Sequence, residues 1–355
     1  FNIMRVFLEI KLGNPYYSLS LLNKREEPTI ELLKSVKKAT KDKLKKAGIY
    51  FLEDVLMFNP LRLAEAARIS VESAEKIIEE SLEILEKLER KEYGFEKALE
   101  LLEIEKEVKK TLHTGSKNLD DILRGGYCVG EVTELAGAYR TGKTQACLTA
   151  LATVFLPEDE GGLNDGDVYA VLIDAEHTFS PRRMEPIFQR FDIDPRWALD
   201  RILVGKPKNS HHQLKMIENL VKVVKNRNIK LVIVDSLTKL PRADFSGRGE
   251  LYERQRMILS MVEKLRRIAE AYSLVALVTN QVVAVPDASP YSKLVDKEKP
   301  IGGHVLAHTV DTRLYLSFVK EDIRRVEIID SSRLPPAVTR IRITEAGIAD
   351  PPEGI

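Results

Sequence analysis

Residues Gly137, Ala138, Tyr139, Arg140, Thr141, Gly142, Lys143 and Thr144 have the types and spacing of a phosphate-binding loop, G-x-x-x-x-G-K-[ST]. Glycine at both ends lets the backbone curl until its N–H groups face phosphate oxygens. Lys143 then reaches the β- and γ-phosphates of a nucleoside triphosphate, and the Thr144 hydroxyl reaches Mg²⁺. An apolar stretch, 131–136, precedes the loop, and a helical pattern from Gln145 to Val154 follows it. This strand–loop–helix setting is what the motif requires.

Two carboxylates further along fit the same chemistry. Leu231–Val234 is apolar and ends on Asp235, a position suited to holding Mg²⁺ at the carboxyl end of a parallel strand. Many strands end in Asp for turn formation, so Asp235 gains meaning from the phosphate loop. Val171–Asp174 leads to Glu176, which could orient and deprotonate an attacking water. Glu176 could equally begin the next helix. Asn280-Gln281 follows the apolar run 274–279, and an uncharged amide there could sense a γ-phosphate. Beyond it, 282–300 is a long irregular segment, and 242–249 pairs Arg242 and Arg248 with glycines. Segments of this kind inside compact domains are usually functional or mobile. The histidines, His211, His212, His304 and His308, have no Cys or carboxylate at a familiar metal-site spacing.

These residues need strands and helices to position them. Apolar runs at 131–136, 168–174, 202–204, 231–234, 274–280 and 313–316 read as buried strands, with 325–330 and 338–343 as further strands near a sheet edge. Helical patterns separate the earlier runs, so the fold class is α/β, a mostly parallel sheet flanked by helices over residues 114–355. Residues 29–90 read as a small all-helical domain. One helix is expected from Ile30 to Ala47, a second over Leu52–Phe58 stopping at Pro60, and a third marked by Ala74, Ile77, Leu82 and Leu85. Residues 91–113 form a charged linker, and 1–28 an extension without clear periodicity.

The totals constrain the chemistry less than the local pattern does. The 355 residues carry 55 Lys+Arg against 54 Asp+Glu, a balance that argues against a strongly basic nucleic-acid binder. Yet Lys34, Lys37, Lys38, Lys41, Lys43, Lys45 and Lys46 face a single acid, Asp42, within 34–46, a local charge of +6. That run is either a solvated helix face or a patch for nucleic-acid phosphates. No apolar run approaches the ~18 residues of a membrane span, and the first ten residues lack a cleavage site, so a cytoplasmic protein without a membrane partner is expected. Two cysteines, Cys128 and Cys147, cannot make a disulfide scaffold.

Taken together, the motifs resemble those of the archaeal RadA family of RecA-like recombinases over about residues 30–350. The resemblance rests on 114–126, 139–145, 174–183, 245–250, Thr279-Asn280-Gln281-Val282 and 299–308, in the family's order. It implies a RecA-like ATPase core, a helix-hairpin-helix-like domain at 29–90, and ATP and Mg²⁺ as cofactors. It also implies single- and double-stranded DNA as partners, and a homo-oligomer as filament or ring. Glu176 matches the water-activating glutamate, Arg183 the arginine stacked on adenine, and Gln281 the link from γ-phosphate to a DNA loop. Arg242, Arg248 and Arg254 match arginines that contact single-stranded DNA, while Lys34, Lys37, Lys38 and Lys41 become duplex-DNA candidates. His308, Asp330 and Pro335 match elements reaching ATP on a neighbouring protomer. Phe95 and Ala98 match the Phe-x-x-Ala motif that docks one protomer on the next. Departures include Ala67-Arg68-Ile69-Ser70 where the family usually has glycine, 203–208 at the docking pocket, Ser332 for proline, and Val285 for a loop arginine.

The expected function is an ATP-dependent recombinase that forms filaments on single-stranded DNA and exchanges strands. A recombinase paralogue that assists assembly without strand exchange is the alternative, and a hexameric RecA-like motor is a remoter one.

Overall fold

Residues 168–173 and 231–234 are apolar on both faces but for Tyr169, and both become parts of interior strands of one sheet. The computed structural model describes residues 28–56, 58–89, 98–99, 110–284, 298–307 and 309–352. The chain divides into two compact units, residues 1–108 and 109–355.

The first unit opens with a 3₁₀ turn, Ile30–Leu32, followed by helices α1 (Lys38–Lys46), α2 (Leu52–Leu56), α3 (Pro60–Ala67) and α4 (Val71–Glu89). Ile30, Leu33, Leu44, Leu52, Leu63 and Ile77 form its core. The single helix expected from Ile30 to Ala47 is interrupted. The Glu80 carboxylate of α4 accepts from the Lys34 N–H at 2.6 Å and the Ser35 N–H at 3.1 Å, taking the donors a continuous helix would use. Pro60 starts a helix rather than stopping one. It stands at the first position, where its missing N–H costs nothing, and the Asn59 side chain caps the Arg62 N–H at 2.9 Å. α3 ends on Arg68 at φ +52°, a left-handed position that favours glycine.

The second unit begins with β1 (Thr111–Leu112), α5 (Lys117–Leu123), β2 (Tyr127–Cys128), β3 (Val132–Gly137), α6 (Lys143–Thr153) and β4 (Val168–Asp174). Next come α7 (Pro181–Arg190), α8 (Pro195–Leu199), β5 (Ile202–Gly205), α9 (Ser210–Asn226), β6 (Asn228–Asp235), α10 (Lys239–Asp244) and α11 (Leu251–Ala271). The remainder is β7 (Val275–Asn280), β8 (Val282–Ala284), β9 (Glu298–Pro300), α12 (Gly303–Ala307), β10 (Thr312–Lys320), β11 (Ile323–Ser331), β12 (Val338–Thr344) and β13 (Gly347–Ala349). Among the described residues the main sheet has the order β13-β12-β11-β10-β3-β7-β6-β4-β5. Strands from β10 to β5 pair in parallel, while β10 to β13 form an antiparallel flank. α6 and α7 cover one face through Ala146, Leu151, Met184 and Phe188, and α11 packs on β3 and β7 across the other. No helix among the described residues is long and apolar enough to cross a membrane.

Three strands share a buried polar network next to the loop that follows β3. Glu134 of β3 is fully buried, accepting from Arg313 Nε of β10 at 2.5 Å and from Asn280 Nδ2 of β7 at 2.6 Å. Asn280 also donates to the Ile301 carbonyl at 2.7 Å. Removing the carboxylate leaves a buried guanidinium without its counter-charge, so Glu134→Ala should cost about 3–5 kcal/mol of unfolding free energy. Chemical denaturation checks this, and a loss below about 1 kcal/mol, the scale of an exposed pair, would show that Arg313 finds another partner.

Candidate nucleotide-binding site

The parallel strands are in register at their carboxyl ends, Ala136 opposite Asn280 and Asp174 opposite Asp235, so the residues beyond them share one crevice. A cavity of about 420 Å³ lies there. Tyr139 to Gln145, Glu176, Thr178, Asp235, Ser236, Thr279, Gln281, Arg324 and Ile343 line it.

The loop 138–142 joins β3 to α6. Gly142 sits at φ +99°, and a Cβ there would stand 2.7 Å from Ile343 Cδ1, so this position needs glycine for both conformation and space. Thr141 Oγ1 donates to the Ala138 carbonyl at 2.9 Å, closing the loop on itself. α6 starts at Lys143, and Lys143, Thr144 and Gln145 of its first turn line the cavity, the end of a helix that favours an anion. Lys143 Nζ donates to the carbonyls of Gly137 and Ala138, each at 2.8 Å. Burial pulls the Lys143 ammonium below the ordinary lysine range, while the Asp235 and Glu176 charges oppose that shift.

Asp235 closes β6 and is buried. Its Oδ2 accepts from Thr144 Oγ1 at 2.8 Å and its Oδ1 from Thr279 Oγ1 at 2.5 Å. Burial raises the carboxyl above the ordinary aspartate range, and the two hydroxyl hydrogen bonds pull the other way.

Glu176 lies in a bend ahead of α7 rather than in its first turn. Its Oε1 accepts from Ser236 Oγ at 2.9 Å, and its Oε2 is 3.0 Å from Lys239 Nζ of α10. The neighbouring Asp174 instead accepts from the N–H groups of Thr178 at 3.2 Å and Phe179 at 3.1 Å. Of the two carboxylates, Glu176 faces the cavity and Asp174 shapes the backbone under it.

The end of β7 and the residue after it divide in a similar way. Asn280 belongs to the buried network, whereas Gln281 lines the cavity and its Oε1 accepts from Arg242 Nη1 at 3.0 Å. Arg254 of α11 is half-buried and donates to the Phe245 carbonyl at 3.5 Å. Arg248 starts a 3₁₀ turn, Arg248–Glu250, and its side chain is outside the described residues.

Other candidates are placed elsewhere. Arg183 donates to Gln145 Oε1 at 2.5 Å and to the carbonyls of Thr344, at 3.2 Å, and Glu345, tying α6 to the end of β12. Asp330 and Pro335 are exposed and outside the cavity lining. Phe95, Val285 and His308 lie outside the described residues, and Ala98 is exposed. In the lysine run, Lys45 and Lys41 engage Glu31 at 2.6 and 3.6 Å, and Lys43 Nζ donates to the Arg68 carbonyl at 3.1 Å. Lys34, Lys37 and Lys38 are exposed, without an ion pair among the described residues. The cationic surface of this run is therefore smaller than its +6 suggests.

Sequence reasoning did not find Ser236, Lys239, Thr279 or Arg324. Ser236 follows Asp235 directly and Lys239 lies four residues beyond it, so the strand end points to both. Thr279 lay within the family-like stretch 279–282 but was given no role, and Arg324 gave no signal, because one Arg of an Arg-Arg pair is common.

Two comparisons bear on the site. A family model described as Rad51 matches residues 105–351. The DNA repair and recombination protein RadA of Aeropyrum pernix is 37% identical over 329 residues, 93% of this chain and 99% of that protein.

Proposed function

From the premise that this chain belongs to the Rad51 family, and is a recombinase with DNA-dependent ATPase activity, we propose that it assembles on single-stranded DNA and pairs that strand with homologous duplex. The hydrogen bond from Arg242 to Gln281 carries the reading, because it joins a cation in the last turn of α10, where the sequence suggested an irregular segment, to the amide that faces the nucleotide cavity.

The residues present fit ATP with Mg²⁺. Among the described residues no three His, Cys, Asp or Glu are grouped to hold a metal, so a divalent ion would use Asp235, the Thr144 hydroxyl, water and phosphate oxygens. Hard oxygen ligands with retained water suit Mg²⁺. Bound MgATP supplies the phosphoanhydride bond that is broken and the charge that Lys143 and the α6 N–H groups neutralise. Lys143 exchanges the Gly137 and Ala138 carbonyls for phosphate oxygens. Glu176, oriented by Ser236 and Lys239, takes the proton of the attacking water. Gln281 follows the γ-phosphate and passes its position to Arg242.

The DNA contacts then divide by role. Arg242, Arg248 and Arg254 hold the phosphates of a single strand, tolerating any sequence, while Lys34, Lys37, Lys38 and Lys41 meet duplex DNA. Phe95 and Ala98 dock one protomer on the next, and His308, Asp330 and Pro335 reach the nucleotide of the neighbour. The test is exchange between single-stranded circular DNA and a homologous linear duplex in the presence of ATP. The reading expects ATP-dependent joint molecules. ATP hydrolysis stimulated by single-stranded DNA without joint molecules would favour the assembly-assisting paralogue.

A further inference from the structure

Arg324 is a buried cation that has no carboxylate within ion-pair distance among the described residues, although the charge of Asp322 acts on it from further away. It keeps 7% of its surface, and its Nε is buried with no hydrogen-bond partner. Its Nη1 donates to the carbonyls of Glu321, at 2.7 Å, and Ile323, at 3.0 Å. Its guanidinium carbon lies 4.2 Å from the Phe318 ring centroid. No carboxylate pairs with it among the described residues, since nearby Asp322 is engaged by Arg342 Nε at 2.5 Å.

The register makes that arginine unexpected on structural grounds. Alternate residues of a strand share a face, so Arg324 continues the row of Val326 and Ile328 on β11. Val326 and Ile328 belong to the core beneath α6, as does Ile341, the cross-strand neighbour of Arg324 on β12. A fourth aliphatic side chain would complete this row with no desolvation cost. A guanidinium there is only partly compensated, by two carbonyls, the Phe318 ring and the more distant Asp322 charge, and a closer anion would complete it.

The place of the anion follows from the loop. β10 pairs with β3 as far as Leu316 opposite Gly137, so the β10–β11 hairpin continues alongside the phosphate loop. Arg324 Cγ lies 3.9 Å from where a Cβ on Gly142 would stand, and the side chain lines the nucleotide cavity. We propose that Arg324 is a second phosphate-binding cation of the site, meeting the phosphate chain of the bound nucleotide from the β11 side while Lys143 meets it from the loop. The inference rests on the nucleotide reading of the cavity and adds to it a residue from the far flank of the sheet. Stacking on Phe318 and the two carbonyl bonds fix the guanidinium in advance of binding.

Arg324→Met separates this role from a structural one, because Met keeps the stem and continues the apolar row. Its melting temperature without ligand should equal or exceed that of the wild type. Its MgATP and MgADP affinities, by calorimetry, should fall by about 10- to 100-fold, as for loss of a charge-assisted contact. Inorganic tripolyphosphate should weaken in parallel, which assigns the contact to the phosphates rather than the base. Arg324→Lys, which keeps the cation, should bind MgATP more tightly than Arg324→Met. MgATP affinity of Arg324→Met within about two-fold of wild type, or equal affinity of the Met and Lys variants, overturns the assignment. Lys143→Ala runs beside them. If it loses MgATP while Arg324→Met retains it, Arg324 alone is wrong; if both retain it, the nucleotide reading fails as well.

Discussion

Lys143→Ala abolishes nucleotide-dependent behaviour while leaving the fold in place. The ammonium is half-buried and partnered by carbonyls of its own loop, so the free protein holds it at a desolvation cost. Alanine removes that cost and preserves the α6 backbone, which predicts an unchanged melting temperature without ligand. With MgATP the outcome reverses. The lysine would provide charge-assisted bonds to phosphate in a partly dry site, and their loss should weaken MgATP by about 100-fold or more. The ligand-induced rise in melting temperature should vanish at concentrations that saturate the wild type. A normal thermal shift would remove the loop 137–144 from the account.

Glu176→Gln has its largest effect on turnover. The amide keeps the size of the side chain and can still accept from Ser236 Oγ, so the bend ahead of α7 survives. The exposed part of the ion pair with Lys239 is lost, a small term in solvent. The capacity to take a proton from water disappears, and turnover should fall by about 10²- to 10⁴-fold, the usual share of a general base. MgATP affinity stays within about two-fold of wild type, because Glu176 contributes no attraction to phosphate. Single-turnover hydrolysis with and without single-stranded DNA measures this. Wild-type turnover would leave Asp174 or a bound water to account for the chemistry.

The parts of the fold that follow from local chemistry were legible before the structure. The strand 168–174 was bounded to the residue, because an apolar run flanked by Gly166-Asp167 and by acidic Asp174 has one way to sit in a parallel sheet. The turn at 137–144 was legible because Gly142 is required by backbone conformation as well as by the space beside Ile343. Tertiary partners decided the rest. Glu80, distant in sequence, breaks the expected first helix at Lys34 and Ser35. Asn59 turns Pro60 from a stop into a start.

The site divides in the same way. Asp235 and Glu176 stand at strand ends, where position alone suggests a role. Arg324 reaches the cavity through an antiparallel flank that joins the sheet long after the loop has formed in sequence. The near balance of charge says little about DNA, since the exposed Lys34, Lys37 and Lys38 and the Arg242–Arg254 region are local. Cross-strand pairing and ion pairs with distant residues carry no sequence period, so no pattern announces them.

Under the proposed function, nucleotide in this cavity would govern assembly on single-stranded DNA. Electron microscopy of the full chain with single-stranded DNA and a non-hydrolysable ATP analogue tests it most directly. Regular helical filaments with the analogue, and their absence with Lys143→Ala under the same conditions, are the result predicted. Filaments that form equally without nucleotide, or no filaments while the analogue is bound, would contradict it.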